Sequence, residues 1–200
     1  MIKLGITGGI GSGKSFVSRC LKEGFSVQVY DTDREAKRLM LEHEGIRADL
    51  IALLGKEVYT AAGLNKPLLA AYIFSSPENA QKVNAIVHPR VKEDFRNWAF
   101  RQEQAGCQLV GVESAILFES GFDREVDKTL TVSAPLELRI TRVMERDRVG
   151  REQVLERITA QISDEERNRL SDFSVENAET SDIHAQLVRI LSALNVRNED

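Results

Sequence analysis

Between Gly8 and Ser15 the chain reads Gly-Gly-Ile-Gly-Ser-Gly-Lys-Ser, directly after an alternating run of Ile2, Leu4 and Ile6 and directly before a helical stripe of Phe16, Val17, Cys20 and Leu21. A strand that turns through such a loop into a helix restricts the fold more than any other stretch of the sequence. Glycines let successive backbone N–H groups point into one concavity that side chains would obstruct. Lys14 adds a point charge and Ser15 a hydroxyl suited to Mg²⁺. The helix beginning there turns its positive end to the same spot. Gly9, Ile10, Gly11, Ser12, Gly13, Lys14, Ser15 and Phe16 are therefore the candidate site for the phosphates of a nucleoside triphosphate. Kinases, switch GTPases and motors all carry this loop, so it sets the ligand class and leaves the reaction open.

A chain of 200 residues that is 42% apolar suffices for one α/β core with appendages rather than two full domains. The net charge of −4 argues against broad nucleic-acid binding, which needs a basic face. No apolar run approaches membrane-spanning length and residues 1–6 begin directly as a strand, so a cytoplasmic protein without a membrane partner is expected. Cys20 and Cys107 lack metal-ligand spacing and read as reduced packing residues. The apolar stripes are all explicable as core, which suits a monomer or a weak homo-oligomer.

Gly24 marks a stop for the first helix, and Phe25, Val27 and Val29 alternate into a second strand ending at Tyr30-Asp31-Thr32-Asp33. Two uses fit these aspartates. At the carboxyl end of a parallel strand they could reach a metal or an accepting hydroxyl, and before a helix from about Arg34 to Leu41 they could serve as caps. From Glu35 to Arg101 the pattern is almost wholly helical, punctuated at Ala62-Gly63, Lys66-Pro67 and Ser76-Pro77. Such an insertion is a natural place for acceptor recognition. Within it His88 has both a structural and a chemical reading, and Trp98 reads as core. A third strand, Gln108 to Val112, leads to Glu113, placed for a magnesium-associated carboxylate. A fourth spans about Lys128 to Ser133, and Pro135 then starts a helix with Arg139, Arg142 and Arg146 on one face. Glu145, Asp147, Glu152 and Glu156 lie among these arginines, so a salt-bridged surface competes with an arginine-bearing lid hinged near Val149-Gly150. The tail supplies a short strand at Phe173 to Asn177 and a helix striped by Ile183, Leu187, Ile190, Leu191 and Leu194. Residues 195–200 are polar and expected to fray.

Taken together, Leu4 to Ser15, Asp31-Thr32-Asp33, His88-Pro89, Leu117-Phe118-Glu119-Ser120-Gly121, Arg146-Asp147, Arg157-Ile158-Thr159-Ala160-Gln161, Asp172 and Asn177 make the chain resemble the dephospho-CoA kinase family over nearly its full length. The resemblance implies a three-layer P-loop NTPase sandwich with a mainly parallel five-stranded sheet. Its core would be residues 1–34, 102–134 and 166–195, with a helical acceptor-binding insertion at about 35–101 and a helical lid at about 135–165. It implies ATP as phosphoryl donor, Mg²⁺, and transfer to the ribose 3′-hydroxyl of dephospho-coenzyme A as the last step of coenzyme A biosynthesis. Asp33 is then the candidate base, Lys14, Arg142 and Arg146 stabilise the transferring group, and Ser15, Asp31 and Glu113 are metal candidates. Asp31, Asp33, His88, Arg90 and Glu119 are acceptor candidates. Two positions depart from the family pattern, Ala115 for proline and Lys66 for arginine; lysine cannot reproduce a bidentate arginine contact. A P-loop kinase for another small acceptor, such as a nucleoside or nucleotide, is the alternative. A guanine-reading Asn-Lys-x-Asp segment is absent from the sequence, which disfavours a GTPase switch.

Overall fold

Short apolar runs separated by helix-length segments dictate a parallel sheet, because parallel neighbours need a crossover long enough to hold a helix. The computed structural model describes residues 1–196. In chain order its elements are β1 (Ile2–Thr7), α1 (Lys14–Phe25), β2 (Gln28–Asp31), α2 (Thr32–Glu42), α3 (Glu44–Leu54), β3 (Tyr59–Thr60), β4 (Gly63–Leu64), α4 (Lys66–Ser75), α5 (Pro77–Gln104), β5 (Leu109–Glu113), β6 (Lys128–Ser133), α6 (Leu136–Asp147), α7 (Arg151–Thr159), α8 (Asp164–Leu170), β7 (Phe173–Glu176) and α9 (Ile183–Ala193). They form two units, one of residues 1–31 and 99 onward, the other Thr32–Trp98. Among the described residues no helix is long and apolar enough to cross a membrane. Residues 197–200, most of the tail expected to fray, lie outside the described part.

The first unit holds a five-stranded sheet in the order β2-β5-β1-β6-β7, and every pairing in it is parallel. This is the α/β sandwich that the sequence pattern implies. β1 lies between β5 and β6: the chain leaves it for β2, returns to β5 and then crosses β1 to β6 on its other side, and in such a sheet ligands bind in a crevice at the strands' carboxyl ends. Leu4 and Ile6 of β1, Leu130 and Val132 of β6 and Val175 of β7 join Val17 and Leu21 of α1 and Leu187 and Leu191 of α9 in one buried cluster. The stripe on α1 is narrower than its sequence suggests. Val17 and Leu21 are fully buried, Cys20 only partly, and Phe16 is exposed with the Arg19 guanidinium over its ring.

The second unit packs α2, α3, α4 and most of α5 around Leu39, Ile46, Leu50, Val58, Leu69, Val83, Val87, Val91 and Phe95. Arg38 ties α2 to α5 through Asp94 at 3.0 Å while also bonding Glu35 and Glu42. Trp98 lies beside Phe95, ring centroids 6.1 Å apart, and is half-buried at the edge of this core rather than enclosed in it.

Several boundaries differ from expectation. Helix α1 runs past Gly24 to Phe25 and stops at Ser26, which takes the left-handed conformation and donates its N–H to the Leu21 carbonyl. Phe25 is therefore helical and stacks on His184 instead of opening β2. α2 begins at Thr32, which puts Asp33 inside its first turn rather than ahead of it. The punctuation at Ala62-Gly63 proves to be the turn of a small antiparallel hairpin, β3–β4. Pro89 sits inside the 28-residue α5, where it supplies no N–H to the helix ladder.

Just before β7, Asp172 crosslinks the sheet. Its carboxylate accepts from Lys128 Nζ at 2.8 Å, from the Thr129 N–H at 2.8 Å and from the Thr129 hydroxyl at 2.9 Å. Burial opposes its charge, but these donors outweigh burial and hold its pKa below the ordinary aspartate value. The stability it adds is present above the unfolded-state pKa of about 3.9 and is lost as the pH falls through the lower native value. Asp172→Asn is thus expected to lower the urea midpoint at neutral pH, with the gap between parent and variant closing as the pH falls through the carboxylate's lowered native pKa; a gap that stays the same size into strong acid would contradict this.

Candidate active site

β1 ends at Thr7, and the loop that follows is shaped by close contacts that only glycine permits. Gly11 and Gly13 have φ of 78° and 92°, in the left-handed region that side chains disfavour. A Cβ on Gly13 would collide with Asn177 Nδ2, which comes in to donate to the Ser12 carbonyl at 2.8 Å in a buried bond. Ser12 N–H closes the turn onto the Gly9 carbonyl at 3.1 Å. α1 starts at Lys14, so the first-turn amides and the positive helix end face this crevice. The Lys14 ammonium donates to the carbonyls of Gly8 at 2.7 Å and Gly9 at 3.4 Å.

Strand register brings the acidic candidates together. Ile6 pairs with Glu113 and Glu113 with Asp31, so the two carboxylates end adjacent strands in one row beside the loop. Ser15 Oγ donates to Glu113 Oε1 at 2.6 Å. Among the described residues no group of three His, Cys, Asp or Glu side chains forms a metal cage. A hydroxyl with one or two carboxylates fits Mg²⁺ nonetheless, because that ion commonly takes few protein oxygens and completes its shell with water and substrate phosphate.

The arginines of α6 split into three environments. Arg139 is enclosed and donates from Nε to the Ile10 carbonyl at 2.9 Å. Arg142 has a buried Nη1 without a hydrogen-bond partner, 3.8 Å from the place a Gly13 Cβ would take. A buried guanidinium nitrogen without a partner is uncommon, since such groups are nearly always hydrogen-bonded. Arg146 is at the surface, bonded to Asp147 at 2.7 Å, and Arg157 of α7 reaches the same carboxylate at 2.7 Å. The salt-bridged face is thus present at Arg146, Asp147 and Arg157, while Arg142 is turned to the loop. Glu119 is exposed and accepts from the Ile162 N–H at 3.4 Å.

Asp33, His88 and Arg90 belong to the second unit. Asp33 is exposed in the first turn of α2, where the helix dipole favours a carboxylate. His88 is half-buried on α5; burial and the neighbouring Lys92 charge lower its pKa, so its imidazole is neutral at pH 7. Arg90 is loosely paired with Glu93 at 3.9 Å. Lys66 opens α4 after the Asn65 cap, and the Ala115 carbonyl accepts from Gln161 Nε2 at 3.5 Å.

Sequence reasoning missed what supports the loop from behind. Asn177 and Gln161 stood in the family pattern without a chemical role, and Asp164 and Arg167 were not singled out. The Ser163-x-x-Glu166 spacing was a usable signal for the start of α8, where Ser163 accepts from the Glu166 N–H at 3.1 Å.

The dephospho-CoA kinase family model matches residues 2–182. The chain belongs to the dephospho-CoA kinase family. A protein named dephospho-CoA kinase from Bacteroides fragilis is 46% identical over 194 residues, covering 96% of this chain and 93% of that protein. The crystal structure of TT1252 from Thermus thermophilus aligns with a TM-score of 0.80 at 34% identity, over 96% of this chain and 97% of that one. A dephospho-CoA kinase from Campylobacter jejuni aligns with a TM-score of 0.69 over 96% of each chain, and at 20% identity it speaks for the fold. Membership in the dephospho-CoA kinase family makes the chain a P-loop kinase with ATP as its phosphoryl donor.

The Asn177–Ser12 bond yields a direct test. Asn177→Ala strands a buried carbonyl, and urea unfolding is expected to show a loss of about 1–3 kcal/mol; a variant as stable as the parent would contradict the assignment.

Proposed function

We infer that the chain transfers the γ-phosphoryl group of ATP to the ribose 3′-hydroxyl of dephospho-coenzyme A, giving coenzyme A and ADP. The reading is carried by 46% identity to a protein named dephospho-CoA kinase across 96% of the chain. The preset loop and the partnerless Arg142 Nη1 support it.

In this reaction the acceptor oxygen forms a bond to the γ-phosphorus, the bond from that phosphorus to the β-bridging oxygen breaks, and the hydroxyl proton goes to Asp33. The transition state is loose, so the acceptor needs orientation and a late proton sink more than a strong base, and an aspartate suffices. Backbone amides of Gly11 to Phe16 and the Lys14 ammonium would bind the phosphates, with Lys14 exchanging its loop carbonyls for phosphate oxygens. Arg142, and Arg146 on release from Asp147, would neutralise charge on the transferring group. Ser15, Glu113 and Asp31 would hold Mg²⁺, which when bound offsets charge on the β- and γ-phosphate oxygens. Residues 1–34, 102–134 and 166–195 then act as the core, about 35–101 as the acceptor-binding insertion and about 135–165 as a lid that excludes water, the competing acceptor.

For the acceptor, Asp31, His88, Arg90 and Glu119 are the contacts we propose. The neutral His88 imidazole suits a hydrogen bond to an uncharged hydroxyl or amide, and Lys66 offers phosphate a point charge in place of a fork. The reaction belongs in the cytoplasm, with a monomer or weak homo-oligomer and no nucleic-acid partner, as the net charge of −4 suggests.

ADP release is expected to depend on added dephospho-coenzyme A, and equal turnover with nucleoside monophosphates would replace this acceptor with another. Asp33→Asn should lower kcat by about a hundredfold or more while ATP affinity stays within about twofold; an unchanged kcat would remove Asp33 from the mechanism.

A further inference from the structure

Arg139 and Arg167 are the two largest wholly enclosed side chains among the described residues, and a guanidinium is enclosed at a cost unless its donors are met. Arg139 meets its cost at the phosphate loop. Its Nε donates to the Ile10 carbonyl at 2.9 Å and its Nη1 to Asp164. The same carboxylate accepts from Arg167 Nη1 at 2.6 Å, and Arg167 Nη2 donates to the Ile162 carbonyl at 2.9 Å. From the other side the Ile10 N–H donates to Gln161 Oε1 at 2.9 Å. Both polar groups of Ile10 are thus taken by side chains of the α6–α8 region.

Gly9 carries the imprint of this arrangement. Its φ is not positive, so the backbone there would accept alanine. A Cβ would instead run into the Arg139 guanidinium. The glycine at position 9 is required by the arginine behind the loop rather than by loop conformation.

We propose that Arg139, oriented by Asp164, is a positioning residue for the phosphoryl donor: by holding the Ile10 carbonyl it keeps the Gly9–Gly11 stretch in its phosphate-accepting shape before ATP arrives. The proposal rests on the reading of Gly8–Ser15 as the nucleotide site. A loop ordered in advance does not lose that entropy on binding. Loosening it weakens ATP binding, whereas turnover at saturating ATP and affinity for the acceptor are little changed.

Asp164 is half exposed, so Asp164→Asn removes the charge without opening the core. By calorimetry with ATP alone, the Kd of this variant is expected to rise about tenfold, the scale of one lost charge-assisted bond. Its kcat at saturating ATP and its KM for dephospho-coenzyme A should stay within about twofold, with Asp164→Glu recovering most of the ATP affinity. Gly9→Ala in the parent should also weaken ATP binding about tenfold, yet add less than about twofold in an Arg139→Met background, because the collision partner is gone. An Asp164→Asn variant with parental ATP affinity, or losses that add in the double variant, would overturn the role of Arg139. A parent chain that binds no ATP would instead overturn the reading of the loop beneath it.

Discussion

The left-handed turn through Gly11 and Gly13 is the constraint from which the rest of the site follows. It lets Asn177 reach the Ser12 carbonyl and starts α1 at Lys14. It sets Ser15 against Glu113 at the carboxyl edge of the sheet. A side chain at Gly13 would displace Asn177, and with it the buried bond that ties the end of β7 to the loop. The loop's shape is therefore a property of backbone geometry held by tertiary contacts, with the charges of Lys14 and Arg142 beside it.

Much of this was legible because it is local. A strand, a glycine loop and a helix follow one another within residues 2–25, and β6 needed only its own six residues to be read at its observed bounds. Misplaced boundaries had identifiable competitors. Phe25 alternates with Val27 and Val29 as a strand would, but stacking on His184 from α9 keeps it in the helix, and α9 is more than 150 residues away in sequence. The hairpin β3–β4 has two residues per strand, too short for a period to register.

The charged residues divide in the same way. Arg139, Arg142 and Arg146 share a helical face in the sequence, yet one is enclosed behind the loop, one is turned toward Gly13 and one is paired at the surface. Spacing places side chains on a face; what meets that face is set by other segments, here Ile10 and Asp164 for Arg139, Gly13 for Arg142 and Asp147 for Arg146. The carboxylate row of Asp31 and Glu113 emerged only from strand register, since more than 80 residues separate them. Asp33, His88 and Arg90 are visible in the sequence, but no local pattern assigns them a partner, and they lie in the second unit. The loop is common to many kinases, so it does not by itself specify the acceptor.

A phosphoryl group held at this loop should pass to a ribose 3′-oxygen, and phosphorus NMR of the product made from ATP and dephospho-coenzyme A reads that out. A new phosphomonoester signal coupled to the ribose 3′ proton, formed in step with ADP, is expected. Inorganic phosphate alone, or a phosphate attached to any other oxygen of the acceptor, would contradict it.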